Sequence, residues 1–438
     1  FSSSSPHRLS SRGRRLSAMA SMARGQRAKL MLSVGAFCCS VVSSMDAPPS
    51  FVVHLGRPPA SRWDGALRAV LDRHPYEYSF GPIFEFSNAT LFKRLSADDW
   101  ALISNAVRAH YPETAEEMRG IAAQFAEEGH PEVTFEYLAG WLYYHELGHS
   151  DADGHAGAVH RECTGILANA ADGTVLHAGN MDKEPAQARN VTLRVRFVDA
   201  ENATVFEGVD WYTLLSTGVS RAVRRGCVSV QENWRHSPPR PLADVLADIS
   251  AGVISQMLVF RAFLLKASCS FHMALDEFSS VRLAAPYYVV VAGTTQGEAA
   301  VITRDLTTAA NVTMLPPTNQ LSDRDDYFVA QCNTDRWLPD DPADPRRTAA
   351  EVTARRLGAS EGATMLGLMA IVSTYPVHNP HTAYTALMSA ATGELHAFVR
   401  EAVCPVDPGA AVVQERRYCL APGAPSTGEA PDGQSPAV

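Results

Sequence analysis

Cys163 is the residue of this 438-residue sequence whose surroundings most directly suggest chemistry. A thiol is a weak nucleophile until it ionises, so it needs a base close by. If the chain is cut between Glu162 and Cys163, the new α-amine of Cys163 can be that base, because its unperturbed pKa is about 7.7 to 8.0. After such a cut, Cys163 would carry both the nucleophile and its base.

A second pattern, His145-Glu146-Leu147-Gly148-His149, matches the H-E-x-x-H motif of zinc peptidases. On a helix the two imidazoles lie one turn apart on one face and could bind zinc, with Glu146 as general base. The extended motif needs glycine three residues later, where this chain has Ala152, although His155 or His160 could supply a third ligand. The glycines and aspartates around the motif indicate that the helix ends here. We therefore favour a polar helix end before a loop, and we predict neither a metal nor another cofactor.

Further motifs follow Cys163 in one order, up to about Val403. They are Cys163-Thr164-Gly165-Ile166-Leu167-Ala168, His177-Ala178-Gly179-Asn180-Met181-Asp182, Gln331-Cys332-Asn333-Thr334-Asp335-Arg336-Trp337, Asp344-Pro345-Arg346-Arg347-Thr348 and Tyr375-Pro376-Val377-His378-Asn379. Together they resemble the N-terminal-nucleophile (Ntn) hydrolases of the choloylglycine hydrolase type, and within that type the acid ceramidase and N-acylethanolamine-hydrolysing acid amidase group. Five collinear motifs make the resemblance strong, although each motif alone is modest.

This resemblance implies an α/β fold with four layers in the order αββα, in which the sheets are antiparallel. It also implies autoproteolysis, in which Cys163 attacks the carbonyl that precedes it. We expect a helical α-subunit region over 46–162, an Ntn-hydrolase β-subunit over 163–420 and a disordered tail over 421–438. The two subunits would remain an α/β heterodimer, because the apolar helices of the first cannot be buried alone.

The resemblance also assigns roles to single residues. Asp182 matches the carboxylate that holds the free amine of the nucleophile by a charge-assisted hydrogen bond. Asn333 matches the oxyanion donor, whose side-chain amide stabilises the tetrahedral intermediate. Arg346 matches an arginine that orients the carboxylates and loops of the site. Glu232 stands in the place of a family glutamate and is a candidate for contacting the amine end of the substrate.

One position departs from the family pattern. Gly179 stands where the family has an arginine that helps to lower the thiol pKa and that holds the region of the substrate carbonyl. Another cation, such as Arg221 or Arg224, could replace it, and otherwise activity would be reduced or lost. A catalytically impaired relative that acts as a lipid-binding protein is therefore the alternative hypothesis, and a zinc peptidase is a third.

The charge distribution argues against nucleic acid as a partner. The net charge is −9, but the first 45 residues carry seven basic side chains and no acidic one. Without those seven, 31 basic residues face 47 acidic ones, and the net charge is −16. Phosphate binding needs a basic surface, which a body this acidic lacks.

The N-terminal region predicts the secretory route. The sequence predicts a signal peptide within residues 1–45. A basic segment precedes an apolar run over 30–42, and small residues and a Pro-rich stretch follow it. A bridge between Cys404 and Cys419 is plausible in an oxidising compartment. Together with the leader, the glycosylation sequons favour a lysosomal or secreted protein. The sequons begin at Asn88, Asn190, Asn202 and Asn311.

The elements that must position these residues change character at Cys163. Residues 50–160 have a mainly helical pattern, with helices near 115–128 and 133–145. From Cys163 the pattern changes to strands, and the pair 164–168 and 174–178 flanks a hairpin turn at Asp172-Gly173. Further along, helices are predicted near 241–266, 271–283, 348–357 and 361–374. Strands, then helices, then strands favour a layered α/β arrangement with antiparallel pairs.

The leading hypothesis is therefore an amidase that cuts itself before Cys163 and hydrolyses fatty-acyl amides of the ceramide or N-acylethanolamine type. Its partner would be a lipid substrate, with possible peripheral contact with a membrane. The apolar run over 257–265 could form an acyl-binding or membrane-facing helix, but an ordinary core helix is the interpretation that we favour.

Overall fold

The computed structural model describes residues 46–151, 163–320 and 326–401. The predicted leader, Glu162, the Cys404–Cys419 pair, the candidate ligands His155 and His160 and the tail over 421–438 lie outside these residues. None of the helices in the described part of the chain has both the length and the apolar character that a membrane span requires.

Two sheets form the centre of the molecule. The larger has eight strands in the order β1-β4-β5-β6-β7-β8-β9-β10, and the smaller has five in the order β11-β2-β3-β12-β13. The strands are β1 (Ser50–His54), β2 (Cys163–Asn169), β3 (Val175–Asp182), β4 (Leu193–Val198), β5 (Thr204–Asp210), β6 (Arg221–Val223), β7 (Ser229–Trp234), β8 (Tyr287–Ala292), β9 (Ala299–Arg304), β10 (Ala309–Met314), β11 (Phe328–Gln331), β12 (Thr382–Ser389) and β13 (Glu394–Val399).

Helices cover both outer faces of the paired sheets. They are α1 (Ala66–Leu71), α2 (Phe80–Thr90), α3 (Ala97–His110), α4 (Pro112–Glu127), α5 (Phe135–Leu142), α6 (Tyr144–Gly148), α7 (Thr213–Ser216), α8 (Leu242–Ser250), α9 (Gln256–Leu264), α10 (Phe271–Ser280), α11 (Arg346–Leu357), α12 (Ala359–Gly362) and α13 (Met365–Val372). Strands β2 and β3 pack on β7 and β8, whereas α10 packs on the larger sheet and α11 and α13 pack on the smaller. The predicted αββα fold class is thus confirmed.

Local sequence explains the main boundaries. The hairpin between β2 and β3 turns at Gly173, whose φ of +89° is the left-handed conformation that glycine adopts without strain. Ser96 and Asp99 form a reciprocal capping box at the start of α3. Pro112 opens α4, where a missing N–H costs nothing. The helix predicted over 241–266 is two helices, α8 and α9, and Ser255 caps the second.

The mainly helical region before Cys163 also contains a strand that its pattern did not predict. Strand β1 pairs with β4 in parallel, and the other pairs between neighbouring described strands are antiparallel. Apolar side chains of α1 to α6 share one core with the larger sheet. The run over 257–265 lies in this core, with Met257, Phe260 and Leu264 each 0% exposed, so the interpretation as a core helix is confirmed.

Candidate active site around Cys163

Cys163 is the first residue of β2 and is only 1% exposed. Its backbone N–H donates a hydrogen bond to Oδ1 of Asn333 at 3.1 Å. Its thiol lies 3.7 Å from Sδ of Met181, the residue opposite it on β3. The candidate nucleophile therefore lies at a strand end inside the protein, where its backbone nitrogen already has a polar partner.

Arg346, the first residue of α11, contacts the other three residues that the resemblance placed in catalysis. Its Nη1 donates to Oδ2 of Asp182 at 2.9 Å and to the carbonyl of Cys163 at 3.1 Å. Its Nη2 donates to Oδ1 of Asn333 at 2.6 Å. The structure thus brings Cys163, Asp182, Asn333 and Arg346 into one hydrogen-bonded cluster, although they lie up to 183 positions apart in the chain.

Two carboxylates share the guanidinium of Arg346. Asp344 accepts from it with both oxygens, at 2.6 and 2.7 Å, and Asp182 also accepts from Asn379 at 2.8 Å and from Thr382 at 2.6 Å. Burial raises the pKa of Asp182, while Arg346, Thr382 and Asn379 act in the opposite direction. Asp344, Asn379 and Thr382 had no predicted role. The signal that could have found them was their position inside or beside the collinear motifs.

In the uncut chain, both the oxygen and the nitrogen of the Asn333 side-chain amide form hydrogen bonds. Oδ1 accepts from Cys163 and Arg346, and Nδ2 donates to the carbonyl of Trp234 at 2.7 Å. Nδ2 carries two N–H groups, and the bond to Trp234 uses one of them. The role of Asn333 as an oxyanion donor remains a prediction.

Gly179 leaves no room for the arginine of the family pattern. It faces Gly165 across β2 and β3, and a Cβ atom built on it would lie 1.9 Å from Oε1 of Gln231 and 2.7 Å from the carbonyl of Thr164. The side chain of Gln231 comes from β7 of the other sheet and donates to that same carbonyl at 3.0 Å. Glycine at 179 therefore allows the two sheets to pack closely.

Arg221 brings a different cation to this region. It is fully buried on β6, where Nη1 donates to Oη of Tyr384 at 2.9 Å and Nη2 donates to the carbonyl of Asn180 at 2.8 Å. Burial alone would lower the pKa of Arg221, but charge interactions with Tyr384, Cys163 and Asp210 raise it. Arg224 instead points to backbone carbonyls of Leu264 and Lys266, at 2.8 and 2.6 Å.

Glu232 lies with the histidines of the H-E-x-x-H motif. Successive residues of a strand face opposite sides, so Glu232 projects from the face of β7 opposite Gln231 and lies 3.6 Å from Nδ1 of His145. The predicted polar helix end is buried, and His149 stacks on Trp234 with ring centroids 3.6 Å apart. Within the described ranges, no three His, Cys, Asp or Glu side chains are arranged to hold a metal ion.

The predicted glycosylation sites differ in their exposure, and the described cysteines differ in whether they form a disulfide. Asn88, Asn202 and Asn311 are exposed, whereas the amide of Asn190 donates to the carbonyl of Tyr78 at 2.7 Å. An unpredicted disulfide joins Cys227 to Cys269. In the part of the chain that the structure describes, Cys163 and Cys332 are the free cysteines.

Comparisons with known proteins agree with the resemblance. No protein-family model matches the chain. The N-acylethanolamine-hydrolyzing acid amidase of Caenorhabditis elegans is 27% identical over 78% of this chain and 89% of its own length. The acid ceramidase of Balaenoptera acutorostrata scammoni is 28% identical over 56% of this chain, and the Rattus norvegicus amidase is 30% identical over 52%.

The chain spans about three fifths of the length of those last two relatives, 62% and 60%. A solved structure of the Caenorhabditis elegans amidase orthologue is 28% identical, with a TM-score of 0.45 over 52% of this chain and 93% of that one. The sequence matches carry the conclusion: this chain is a homologue of the N-acylethanolamine-hydrolyzing acid amidases and the acid ceramidases.

Proposed function

We propose that the chain is a cysteine amide hydrolase that cuts itself between Glu162 and Cys163 and then hydrolyses linear fatty-acyl amides. The names of its homologues support the reaction class and the two candidate substrates, ceramides and N-acylethanolamines. The observation that carries the proposal is the cluster in which Arg346 holds the backbone of Cys163 beside Asp182 and Asn333.

The charges of this cluster favour a free amine at Cys163. Arg346 is one cation between two buried carboxylates, Asp182 and Asp344. Buried charges are stable in a protein only when they are paired and hydrogen-bonded. An ammonium group at Cys163, formed by cleavage, would add the second cation beside the Oδ1 atom of Asn333.

Maturation would use the same thiol as the later hydrolysis. The Sγ atom of Cys163 attacks the carbonyl carbon of Glu162, the C–N bond breaks, and the thioester that forms leaves a free α-amine on Cys163. Water then hydrolyses the thioester, which returns the thiol and leaves a carboxylate on Glu162. Strand β1 and the ion pair of Glu117 with Arg261 would keep the cut pieces together, because each joins residues from both sides of the cut.

Substrate hydrolysis would follow the same order of steps. The α-amine takes the proton of the Cys163 thiol, and the thiolate attacks the acyl carbonyl to give a tetrahedral oxyanion. The C–N bond then breaks, the leaving amine takes the proton from the ammonium, and water hydrolyses the acyl thioester to a fatty acid. Asp182 would hold the ammonium, and Asn333 would donate to the oxyanion from Nδ2.

Release of fatty acid from two probes with the same acyl chain, an N-acylethanolamine and a ceramide, tests this function. The purified, cut protein should release fatty acid from at least one of them, and Cys163→Ala should release none. Cys332→Ala is the matched control, because burial raises the pKa of the Cys332 thiol to about 12 and makes it a poor nucleophile. Equal release by Cys163→Ala, or no release by protein that is cut before Cys163, would refute the proposal.

We also propose passage through the secretory pathway to a lysosome or the exterior. The leader-like N-terminal sequence and three exposed sequons support it. The Cys227–Cys269 disulfide adds support, because such bonds persist in oxidising compartments.

A further inference from the structure

Strand β10 (Ala309–Met314) forms an open edge of the larger sheet. It is the last strand in the order of that sheet, and among the described strands only β9 pairs with it. Four of its six residues are exposed, and the other two are half-buried. An edge strand presents a row of unpaired N–H and C=O groups, with which a strand of another molecule can pair. The β10 edge is therefore a place where two copies of the chain could join their sheets.

The side chains of β10 add an apolar surface to this edge. Val312 and Met314 lie opposite Ile302 and Ala300 in the pairing with β9, and directly opposite residues share one face of a sheet. Ile302 and Ala300 belong to the core and are 0% exposed, whereas Val312 and Met314 are 37% and 41% exposed. On this face the core ends at β9, and β10 extends the sheet beyond it.

The usual features that protect an edge strand are scarce around β10. Charged side chains, prolines and bulges on the edge all discourage pairing with another molecule. Strand β13, which ends the smaller sheet, carries Glu394 and His396 as exposed side chains. Residues 306–322, by contrast, contain no Asp, Glu, Lys, Arg or His, and their prolines lie beyond the end of the strand. A bulge distorts only the start of β10, before Asn311.

One of the glycosylation sequons begins in the middle of β10. Asn311 is exposed, and its side chain projects from the face of the sheet opposite that of Val312. An N-linked glycan is bulky and strongly hydrated. If two copies paired their β10 edges about a twofold axis perpendicular to the sheet, both Asn311 side chains would lie on one face. Two glycans would then have to share the space above strands that lie about 4.8 Å apart.

We propose that an N-linked glycan on Asn311 covers the β10 edge and prevents a second copy of the chain from pairing with it. The glycan takes the role that charged side chains have at other edges. The inference rests on the proposed passage through the secretory pathway, where such glycans are added, and it does not depend on amide hydrolysis. A chain that lacks this one glycan should therefore associate through β10.

The mass of the secreted protein in solution, measured by light scattering over about 1–100 μM, tests the inference. The wild type, with its glycan on Asn311, should keep the mass of one copy. Asn311→Gln and Thr313→Ala each remove the sequon, and in both the mass should at least double as the concentration rises. Asn311→Lys also removes the glycan, but it places a charge on the edge and should keep the mass of one copy. In the associated variants, amide hydrogen exchange over 309–314 should slow, which association through unfolded chains would not produce.

Thr204→Ala is the matched control, because the same change of side chain removes the exposed sequon of Asn202 from the turn between β4 and β5. It should keep the mass of one copy. The mass of one copy for Asn311→Gln and Thr313→Ala at every concentration, or association without slower exchange in β10, would overturn the inference. Glycopeptide mapping that finds glycans at Asn202 and none at Asn311 would also overturn it, but would leave the secretory route intact. Glycans at none of the sequons would contradict that route as well.

Discussion

At the scale of single residues, the site is organised around two buried arginines with different surroundings. Arg346 is held by two carboxylates and contacts the backbone of Cys163, whereas Arg221 donates to the hydroxyl of Tyr384 and to the carbonyl of Asn180. Arg346 therefore contacts the main chain of the candidate nucleophile, and Arg221 joins β6 to β3 and β12. A lysine at either position would lose the planar guanidinium, which donates hydrogen bonds from two nitrogens at once.

The first prediction at this scale concerns Asp182. Asp182→Asn removes one of the two negative charges beside Arg346 and leaves the ammonium of Cys163 without its carboxylate. We expect kcat for acyl-amide hydrolysis to fall at least about a hundredfold, the usual range for loss of a group that positions a proton carrier. Asp172→Asn, in the exposed β2–β3 turn, should leave kcat within about twofold. Equal kcat in the two variants would contradict the role of Asp182.

The second prediction concerns glycosylation. A glycan on Asn190 would replace the hydrogen bond from its amide to Tyr78, whereas Asn88, Asn202 and Asn311 carry exposed side chains. We expect glycopeptide mapping of protein secreted from eukaryotic cells to find glycans at the exposed sites and none at Asn190. A fully occupied Asn190 would show that the contact with Tyr78 does not protect this amide from glycosylation.

At the scale of elements, the residues before and after Cys163 are joined by secondary structure and by buried charge. Strand β1 extends the larger sheet, and Gln256 at the start of α9 donates its N–H to Glu146 of α6 at 2.6 Å. Glu117 of α4 is fully buried and accepts from Arg62, Trp63 and Arg261. These contacts replace the covalent connection that cleavage would remove.

The prediction at this scale concerns the buried ion pair. Glu117→Gln leaves Arg261 of α9 without its carboxylate, and the loss of one partner of a buried pair costs about 3–5 kcal/mol. The free energy of unfolding from denaturant titration should fall by about that amount. Glu351→Gln breaks the exposed pair with Arg355 and should change it by less than about 1 kcal/mol. Similar values for the two variants would show that the buried pair does not stabilise the α4–α9 contact.

At the scale of the whole molecule, one buried carboxyl links stability to pH. Burial raises the pKa of Glu146 from 4.5 to about 7, although the N–H of Gln256 acts in the opposite direction. Between these values the folded chain keeps a proton that the unfolded chain has lost. The contribution of Glu146 to the free energy of unfolding is therefore greatest below about pH 4.5 and declines as the pH rises towards 7.

Glu146→Gln should remove this dependence, because an amide does not ionise, and its oxygen can still accept from Gln256. Between pH 4.5 and 7.5 the wild-type free energy of unfolding should fall by about 3 kcal/mol more than that of the variant. Glu394→Gln, on the exposed side of β13, should follow the wild type. Parallel curves for wild type and Glu146→Gln would show that folding does not raise the pKa of this carboxyl.

The sequence predicted the fold class and the four clustered residues because both depend on local patterns in a fixed order. The hairpin at Asp172-Gly173 and the buried strands after it have clear periodicity. Strand β1 was missed because its partner β4 is more than 130 residues away and no local signal marks parallel pairing. The contacts of Arg221 with Tyr384 and Asn180 depend on how the sheets pack, which a strand pattern does not contain.

The central claim is that Cys163 becomes the N-terminal nucleophile of a two-piece enzyme. N-terminal sequencing of the purified protein after incubation at acidic pH, beside Cys163→Ala, tests it most directly. We predict a chain that begins at Cys163 in the wild type and an uncut Glu162–Cys163 bond in the variant. A wild-type chain that is never cut at this bond, or a variant that is cut there equally, would contradict the claim.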